Sequence, residues 1–206
     1  ANFPLRPGDE LLLSVQEYPA CQNTFRHYAA RAGATVTYAS VPFPIADPNA
    51  VVEAYLAKVT PRTRLALISH VTSPTGLVMP VERLVAELEA RGVACLVDGA
   101  HAPGMVPTLN LGTLQPDYYT ANCHKWICSP KGTAFLYVSP QRRETLDAAT
   151  RARRKFEGGA FGGRSEAQDP YIELAFRGID PLGGRFGEIA RTVFAPYLAA
   201  VRQDAA

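Results

Sequence analysis

Ionisable and polar side chains gather just past the ends of short apolar runs in this sequence. They do so at Gln16-Glu17-Tyr18, at His70-Val71-Thr72-Ser73-Pro74-Thr75-Gly76, at Asp98-Gly99-Ala100-His101 and at Asn122-Cys123-His124-Lys125-Trp126. Asp98 closes a hydrophobic run and precedes Gly99, a residue type that lets a backbone come close to a ligand. Such an aspartate suits a helix N-cap, or a carboxylate aimed at a cationic ring nitrogen or a metal. Lys125 follows another buried run, beside His124 and Trp126. It is either a surface charge or a desolvated amine, whose charged form burial disfavours and which could then attack a carbonyl.

Six apolar runs must position these groups: Glu10 to Val15, Thr35 to Val41, Arg64 to Val71, Val93 to Val97, Asp117 to Ala121 and Thr133 to Val138. They are nearly continuous in Leu, Val, Ile and Tyr, as in strands buried on both faces. Between them, Ala20 to Ala32 reads as a helix closed by Gly33. Asp47 to Val59 reads as a helix with Asp47 as N-cap and Pro48 as its first residue. Val81 to Arg91 carries Val81, Leu84, Val85 and Leu88 on one face and ends at Gly92. The alternation predicts an α/β fold with a mostly parallel sheet and flanking helices. The link from Ala121 to Thr133 is too short for a helical crossover, so the last strand is expected to be antiparallel. In such sheets ligands bind beyond the carboxyl ends of the strands, where the polar clusters lie.

The chain has 206 residues, 47% of them hydrophobic and 19% charged, with a net charge of +2. That balance excludes a disordered tail and gives no global argument for nucleic acid or a membrane surface. No run approaches the roughly 20 apolar residues that span a bilayer. Four cysteines without paired spacing point to a reducing compartment, and a cytoplasmic location is expected. Cys123, His124 and Cys128 have no fourth ligand at zinc spacing, so no metal is expected. The basic run Arg151-Ala152-Arg153-Arg154-Lys155 reads as a solvated helix end.

Asp98 and Lys125 together fit a pyridoxal-phosphate arrangement, with a Schiff-base lysine and an acidic partner for the pyridinium nitrogen. The run Val97-Asp98-Gly99-Ala100-His101-Ala102-Pro103-Gly104, followed by Asn122-Cys123-His124-Lys125-Trp126 and Pro130-Lys131-Gly132, resembles the class V aminotransferase family of fold-type I pyridoxal-phosphate enzymes. Glu17-Tyr18-Pro19-Ala20 and the Ser69 to Gly76 segment resemble its isopenicillin N epimerase-like branch, which also includes carbon–sulfur lyases. The resemblance covers about residues 5 to 138. It implies that Lys125 carries the cofactor and moves protons at the substrate α-carbon, and that Asp98 keeps the pyridine nitrogen protonated. It places His101 near the cofactor 3-oxygen, and Asn122 and His124 at the phosphate. Tyr18 takes the place of a histidine that stacks on the ring in desulfurases. Thr72 or Ser73 would face the ring edge. A homodimer acting on a small amino-acid-like substrate, with no nucleic-acid or membrane partner, is implied as well.

Departures from the family pattern are equally informative. The Thr-containing phosphate loop of the family is not among these motifs, and Gly162-Gly163-Arg164-Ser165 with Asp169-Pro170 matches its C-terminal region only faintly. The chain opens on Ala1 with no basic or apolar leader pattern. It therefore reads as truncated at both ends, with residues 1–140 a partial cofactor-binding large domain and residues 141–206 a linker helix and a remnant of the C-terminal region. The expected activity is epimerisation, transamination or carbon–sulfur elimination. The alternatives are a cysteine desulfurase or selenocysteine lyase, for which no catalytic cysteine loop is recognisable, and a non-catalytic domain serving as an interaction module.

Overall fold

The computed structural model of the chain describes residues 3–143 and the strand Glu173–Phe176. Its elements alternate as the apolar runs predict. They are β1 (Glu10–Ser14), α1 (Pro19–Ala32), β2 (Thr35–Ala39), α2 (Pro48–Leu56), β3 (Thr63–Ser69), α3 (Val81–Glu89), β4 (Ala94–Asp98), α4 (Leu111–Leu114), β5 (Tyr118–Asn122), β6 (Thr133–Val138), α5 (Pro140–Arg143) and β7 (Glu173–Phe176). The helix signals act where expected. Asp47 caps α2 by accepting the Asn49 N–H at 2.8 Å, and Gly33 ends α1 in the left-handed conformation, at φ 67°, where a side chain would be strained.

The strands form one sheet in the order β2-β1-β3-β4-β5-β6-β7. The first five strands in that order run parallel. β6 turns back antiparallel to β5, as its short connection requires. β7 pairs antiparallel with β6 and corrects the expectation of six strands: Glu173–Phe176 is only four residues long, too short a run to stand out by pattern from the Gly- and Pro-rich stretch around it. The linker helix expected after residue 140 begins in α5, but its continuation lies outside the described residues. So do the basic run, Gly162-Gly163-Arg164-Ser165 and Asp169-Pro170.

Strand alternation sorts the core into two faces. Leu12, Ala66, Ile68, Cys95, Val97, Tyr119 and Ala121 join the cores of α2 and α3. Leu11, Leu13, Leu65, Leu67 and Ala94 pack instead with Ala29 of α1. Burial on both faces holds for β1 and nearly so for β3. It fails for β2, which is largely half-buried, and for β5, which alternates between buried and half-buried. The reason is positional: β2 is an edge strand, and α1 packs against β1 and β2, away from β5. By the same alternation Asp98 follows Ala94 and Leu96 onto the α1 face, and Thr120 and Asn122 take that face of β5.

Candidate active site

The parallel strands bring Ser14, Ser69, Asp98 and Asn122 to one edge of the sheet, with Ser69 beside Asp98 and Asp98 beside Thr120 in register. The Asp98 backbone is pinned there from both sides: its carbonyl accepts the His70 N–H at 2.8 Å, and the following Gly99 N–H donates to Thr120 at 2.7 Å. One carboxylate oxygen, Oδ1, accepts the Ala100 N–H at 2.9 Å. The other, Oδ2, has the Cys21 thiol as its donor at 3.5 Å. Asp98 thus caps the turn that follows it, and a thiol is a weak donor, so Oδ2 keeps acceptor capacity toward the α1 face. The N-cap and ring-partner readings are both compatible with this geometry.

Gly99 has a different reason from the one its position suggested. A Cβ placed on it would lie 2.2 Å from the Tyr119 ring, so the group that approaches this backbone is an aromatic side chain of the neighbouring strand. Tyr119 is fully buried and stacks on Phe135 at 6.1 Å between centroids. Its hydroxyl meets Nδ1 of His70 at 2.9 Å. Burial holds the His70 pKa below its ordinary value.

Lys125 reaches across the connection after β5. Its Nζ lies 3.1 Å from Nε2 of His101, and the Trp126 indole N–H donates to Nδ1 of the same ring at 3.2 Å. Burial, and then the neighbouring Lys125 charge, lower the His101 pKa against the opposing pull of Asp98. His124 turns the other way, with Nδ1 on the Thr133 carbonyl at 3.0 Å. A carbonyl only accepts, so Nδ1 is the donor there and Nε2 remains for another partner. The structure therefore brings Lys125 and His101 into contact and holds Asp98, Asn122 and His124 at the same edge.

The remaining expected residues differ in what they can offer. Thr72 is buried, and its hydroxyl is committed to its own turn: it shares a hydrogen bond with Thr75 at 2.7 Å and accepts the Leu77 N–H at 2.8 Å. Ser73 is exposed. Tyr18, half-exposed, occupies the N-cap position of α1 without a side-chain capping bond. Two further residues stand close behind the site. Cys21, half-buried on α1, contacts Asp98; burial, and then the Asp98 charge, push its thiol up to about 12. Glu17 is buried and gathers four donors: Ser69 Oγ at 2.5 Å, Ser14 Oγ at 2.9 Å, Tyr55 Oη at 3.0 Å and the Ser69 N–H at 3.3 Å. Burial nonetheless pushes its carboxyl above the ordinary range. A glutamate directly after an apolar strand was the signal available for it. Among the described residues no group of three or more His, Cys, Asp or Glu could hold a metal ion, and no helix is long and apolar enough to cross a membrane.

This mostly parallel α/β sheet, with a lysine, an imidazole and a carboxylate at its carboxyl edge, has the fold of a pyridoxal-phosphate-dependent transferase. The family model for aminotransferase class V matches residues 1–160, and the chain belongs to that family, in its isopenicillin N epimerase-like branch. Isopenicillin N epimerase of Amycolatopsis lactamdurans is 45% identical over 143 residues, covering 69% of this chain and 36% of that protein. The epimerase of Streptomyces clavuligerus is 38% identical over 147 residues, covering 71% and 37%. The L-cysteine desulfhydrase of Arabidopsis thaliana is 30% identical over 144 residues, covering 66% and 32%. Among solved structures, the cysteine desulfurase CsdA of Escherichia coli superposes with a TM-score of 0.62 at 26% identity, over 69% of this chain and 34% of that one. The chain spans little more than a third of the length of the epimerases it matches.

Proposed function

We propose that this chain is the part of a pyridoxal 5′-phosphate enzyme that carries the reactive lysine, and that the enzyme acts at the α-carbon of an amino-acid-like substrate. The observation that carries the reading is the Lys125 amine held against His101 at the same sheet edge as Asp98. The donor set fits the cofactor: an amine for its aldehyde, a carboxylate oxygen with spare acceptor capacity for a protonated ring nitrogen, and an imidazole edge at His124 for its phosphate. When bound, the cofactor supplies an electron sink for the pair released at the α-carbon.

The chain's own residues then divide the work. Lys125 would hold the cofactor through its amine and would serve as general base and acid for the proton at the substrate α-carbon. Asp98 holds the ring-nitrogen proton, and its pinned backbone keeps the carboxylate from swinging away. His101 would meet the cofactor 3-oxygen, and Asn122 with His124 would hold the phosphate. Tyr18 covers the ring face by stacking. Ser73, with its hydroxyl exposed, is the better placed of the Thr72 and Ser73 pair to meet the ring edge.

Epimerisation is the favoured reaction, supported by the epimerases at 38% and 45% identity. Carbon–sulfur elimination is the second reading, supported by the desulfhydrase relative; transamination uses the same groups. A desulfurase would need a reactive thiolate; burial pushes the Cys21 and Cys123 thiols up to about 12 and raises Cys95 as well, which leaves the exposed Cys128 as the thiol that reading would have to use. The reading includes a cytoplasmic homodimer and a small amino-acid-like substrate, with no nucleic-acid or membrane partner. To test it, the chain is incubated with pyridoxal phosphate, reduced with borohydride and mapped by peptide mass. A pyridoxyl group on Lys125 is expected. A label on Lys58 or Lys131 would overturn the assignment, and a folded chain that takes no label would favour the interaction-module alternative.

A further inference from the structure

The residue before Tyr18 carries a carboxyl group turned away from solvent. Glu17 is 1% exposed, and its side chain reaches back over the boundary between β1 and β3. Oε1 accepts from Ser14 Oγ at 2.9 Å, from Tyr55 Oη at 3.0 Å and from the Ser69 N–H at 3.3 Å, while Oε2 accepts from Ser69 Oγ at 2.5 Å. Ser14 ends β1, Ser69 ends β3 and Tyr55 comes from α2, so one side chain ties three elements to the loop that follows β1. The main chain is held too: the Glu17 N–H donates to the Ser14 carbonyl at 3.3 Å, and the Glu17 carbonyl accepts from Gln22 Nε2 at 2.7 Å. The turn closes on its own backbone bond, so the buried carboxyl, a costly group to desolvate, holds it more firmly than closure requires.

Tyr18 has no such hold of its own. Its side chain is half-exposed and makes no capping bond. Its backbone, at φ −58° and ψ 131°, has the extended ψ that a following proline imposes, and Pro19 opens α1. The direction of the Tyr18 side chain is therefore set by its two neighbours, Pro19 on one side and the Glu17 anchor on the other. Ser69, which supplies both an N–H and a hydroxyl to Glu17, lies opposite Asp98 in the register of β3 with β4. We propose that Glu17 is a positioning residue: it fixes Tyr18 relative to Asp98, and so sets where a stacking ring lies with respect to the carboxylate that would meet the cofactor nitrogen. Glu17 acts through Tyr18 and touches no reacting atom. This role rests on the reading of Tyr18 and Asp98 as cofactor contacts, while the anchoring itself is measurable without the cofactor.

Two variants of the 206-residue chain separate anchoring from general packing. Glu17→Ala removes the acceptor. Glu17→Gln keeps one oxygen for Ser14, Tyr55 and the Ser69 N–H, and its amide can donate to Ser69 Oγ, since a hydroxyl both gives and accepts. Without cofactor, hydrogen exchange read by mass spectrometry over residues 15–22 is expected to run about tenfold to hundredfold faster in Glu17→Ala, the equilibrium effect of orphaning a buried partner, and near the parental rate in Glu17→Gln. With pyridoxal phosphate, titrated by its visible absorbance, Glu17→Ala and Tyr18→Ala are each expected to raise the dissociation constant about threefold to tenfold, the worth of one aromatic contact. The double variant should bind no more weakly than Tyr18→Ala alone, which a loosening of the whole fold would not produce. Ser69→Ala removes one donor and leaves the carboxyl in place, and it provides a milder form of the same comparison if Glu17→Ala does not fold. Additive losses in the double variant, or unchanged exchange or binding in a folded Glu17→Ala chain, would overturn the proposal. If pyridoxal phosphate does not attach at Lys125 of the unaltered chain while Glu17→Ala still frees residues 15–22, the functional reading falls and the anchoring of Tyr18 stands.

Discussion

Replacing Gly99 by alanine tests the close packing that lies directly behind Asp98. The new methyl would sit 2.2 Å from the Tyr119 ring carbon and from its hydroxyl oxygen, far inside contact distance. Tyr119 has nowhere simple to go. It is fully buried, stacked on Phe135 and bonded to His70. Overpacking a tight core costs about 1–3 kcal/mol, and loss of the Tyr119–His70 hydrogen bond adds about 1 kcal/mol. A loss of about 2–4 kcal/mol is expected, a large share of the roughly 5–15 kcal/mol that holds a domain together. Urea unfolding followed by far-UV circular dichroism measures it, and Gly99→Ala combined with Tyr119→Leu closes a double-mutant cycle. The smaller side chain should recover at least about 1 kcal/mol of coupling. A Gly99→Ala midpoint equivalent to less than about 0.5 kcal/mol of destabilisation, or zero coupling, would refute the claim that Tyr119 is what Gly99 makes room for.

Iodoacetamide at pH near 8 should label Cys128 first, because it is exposed while Cys95 and Cys123 are buried and burial pushes the Cys21 and Cys123 thiols up to about 12 and Cys95 higher still; peptide mapping that finds Cys21 or Cys123 labelled equally fast contradicts this. Burial raises the folded-state pKa of Glu17 above its ordinary 4.5, so its contribution to stability is present below the ordinary carboxylate range and is lost as pH rises through the folded value. The stability advantage of the unaltered chain over Glu17→Gln, measured by urea midpoints from pH 4 upward, should therefore shrink with rising pH, and a growing advantage would mean that the four hydrogen bonds outweigh desolvation.

The parts of this molecule that local pattern controls were open to reading. Apolar runs alternating with capped amphipathic segments lead to the parallel sheet, and period-2 alternation places Asp98 at a strand end. The short link before Thr133 leads to the antiparallel β6. What stayed hidden depends on how helices and strands come to rest on one another. Nothing local to Cys21 says that α1 will lay its thiol against Asp98, and nothing near Tyr55 says that its hydroxyl will reach Glu17. Gly99 carried a genuine signal of close approach, but the approaching group came from β5, and a single sequence does not say whether such a space holds a ligand or a ring. Trp126 looked like a neighbour of the lysine; the turn folds its indole nitrogen back onto His101.

The reversal after β5 also explains why Lys125 sits where it does. A parallel β6 would need a long crossover leaving the sheet, and the residues after Asn122 would be carried away with it. The short return instead keeps them at the edge. The Thr133 carbonyl receives the Cys123 N–H at 2.9 Å and, at 3.0 Å, Nδ1 of His124, while Cys123 in turn accepts the Ser129 N–H at 3.2 Å. Gly132, at φ 90°, makes the last bend that a residue with a side chain would resist. These contacts close the loop at its base and leave Lys125 and Trp126 at its crown, facing the turn that β4 sends out through His101. The antiparallel strand is therefore part of the site: it holds the lysine across from the imidazole, in a position that a helical crossover would not provide.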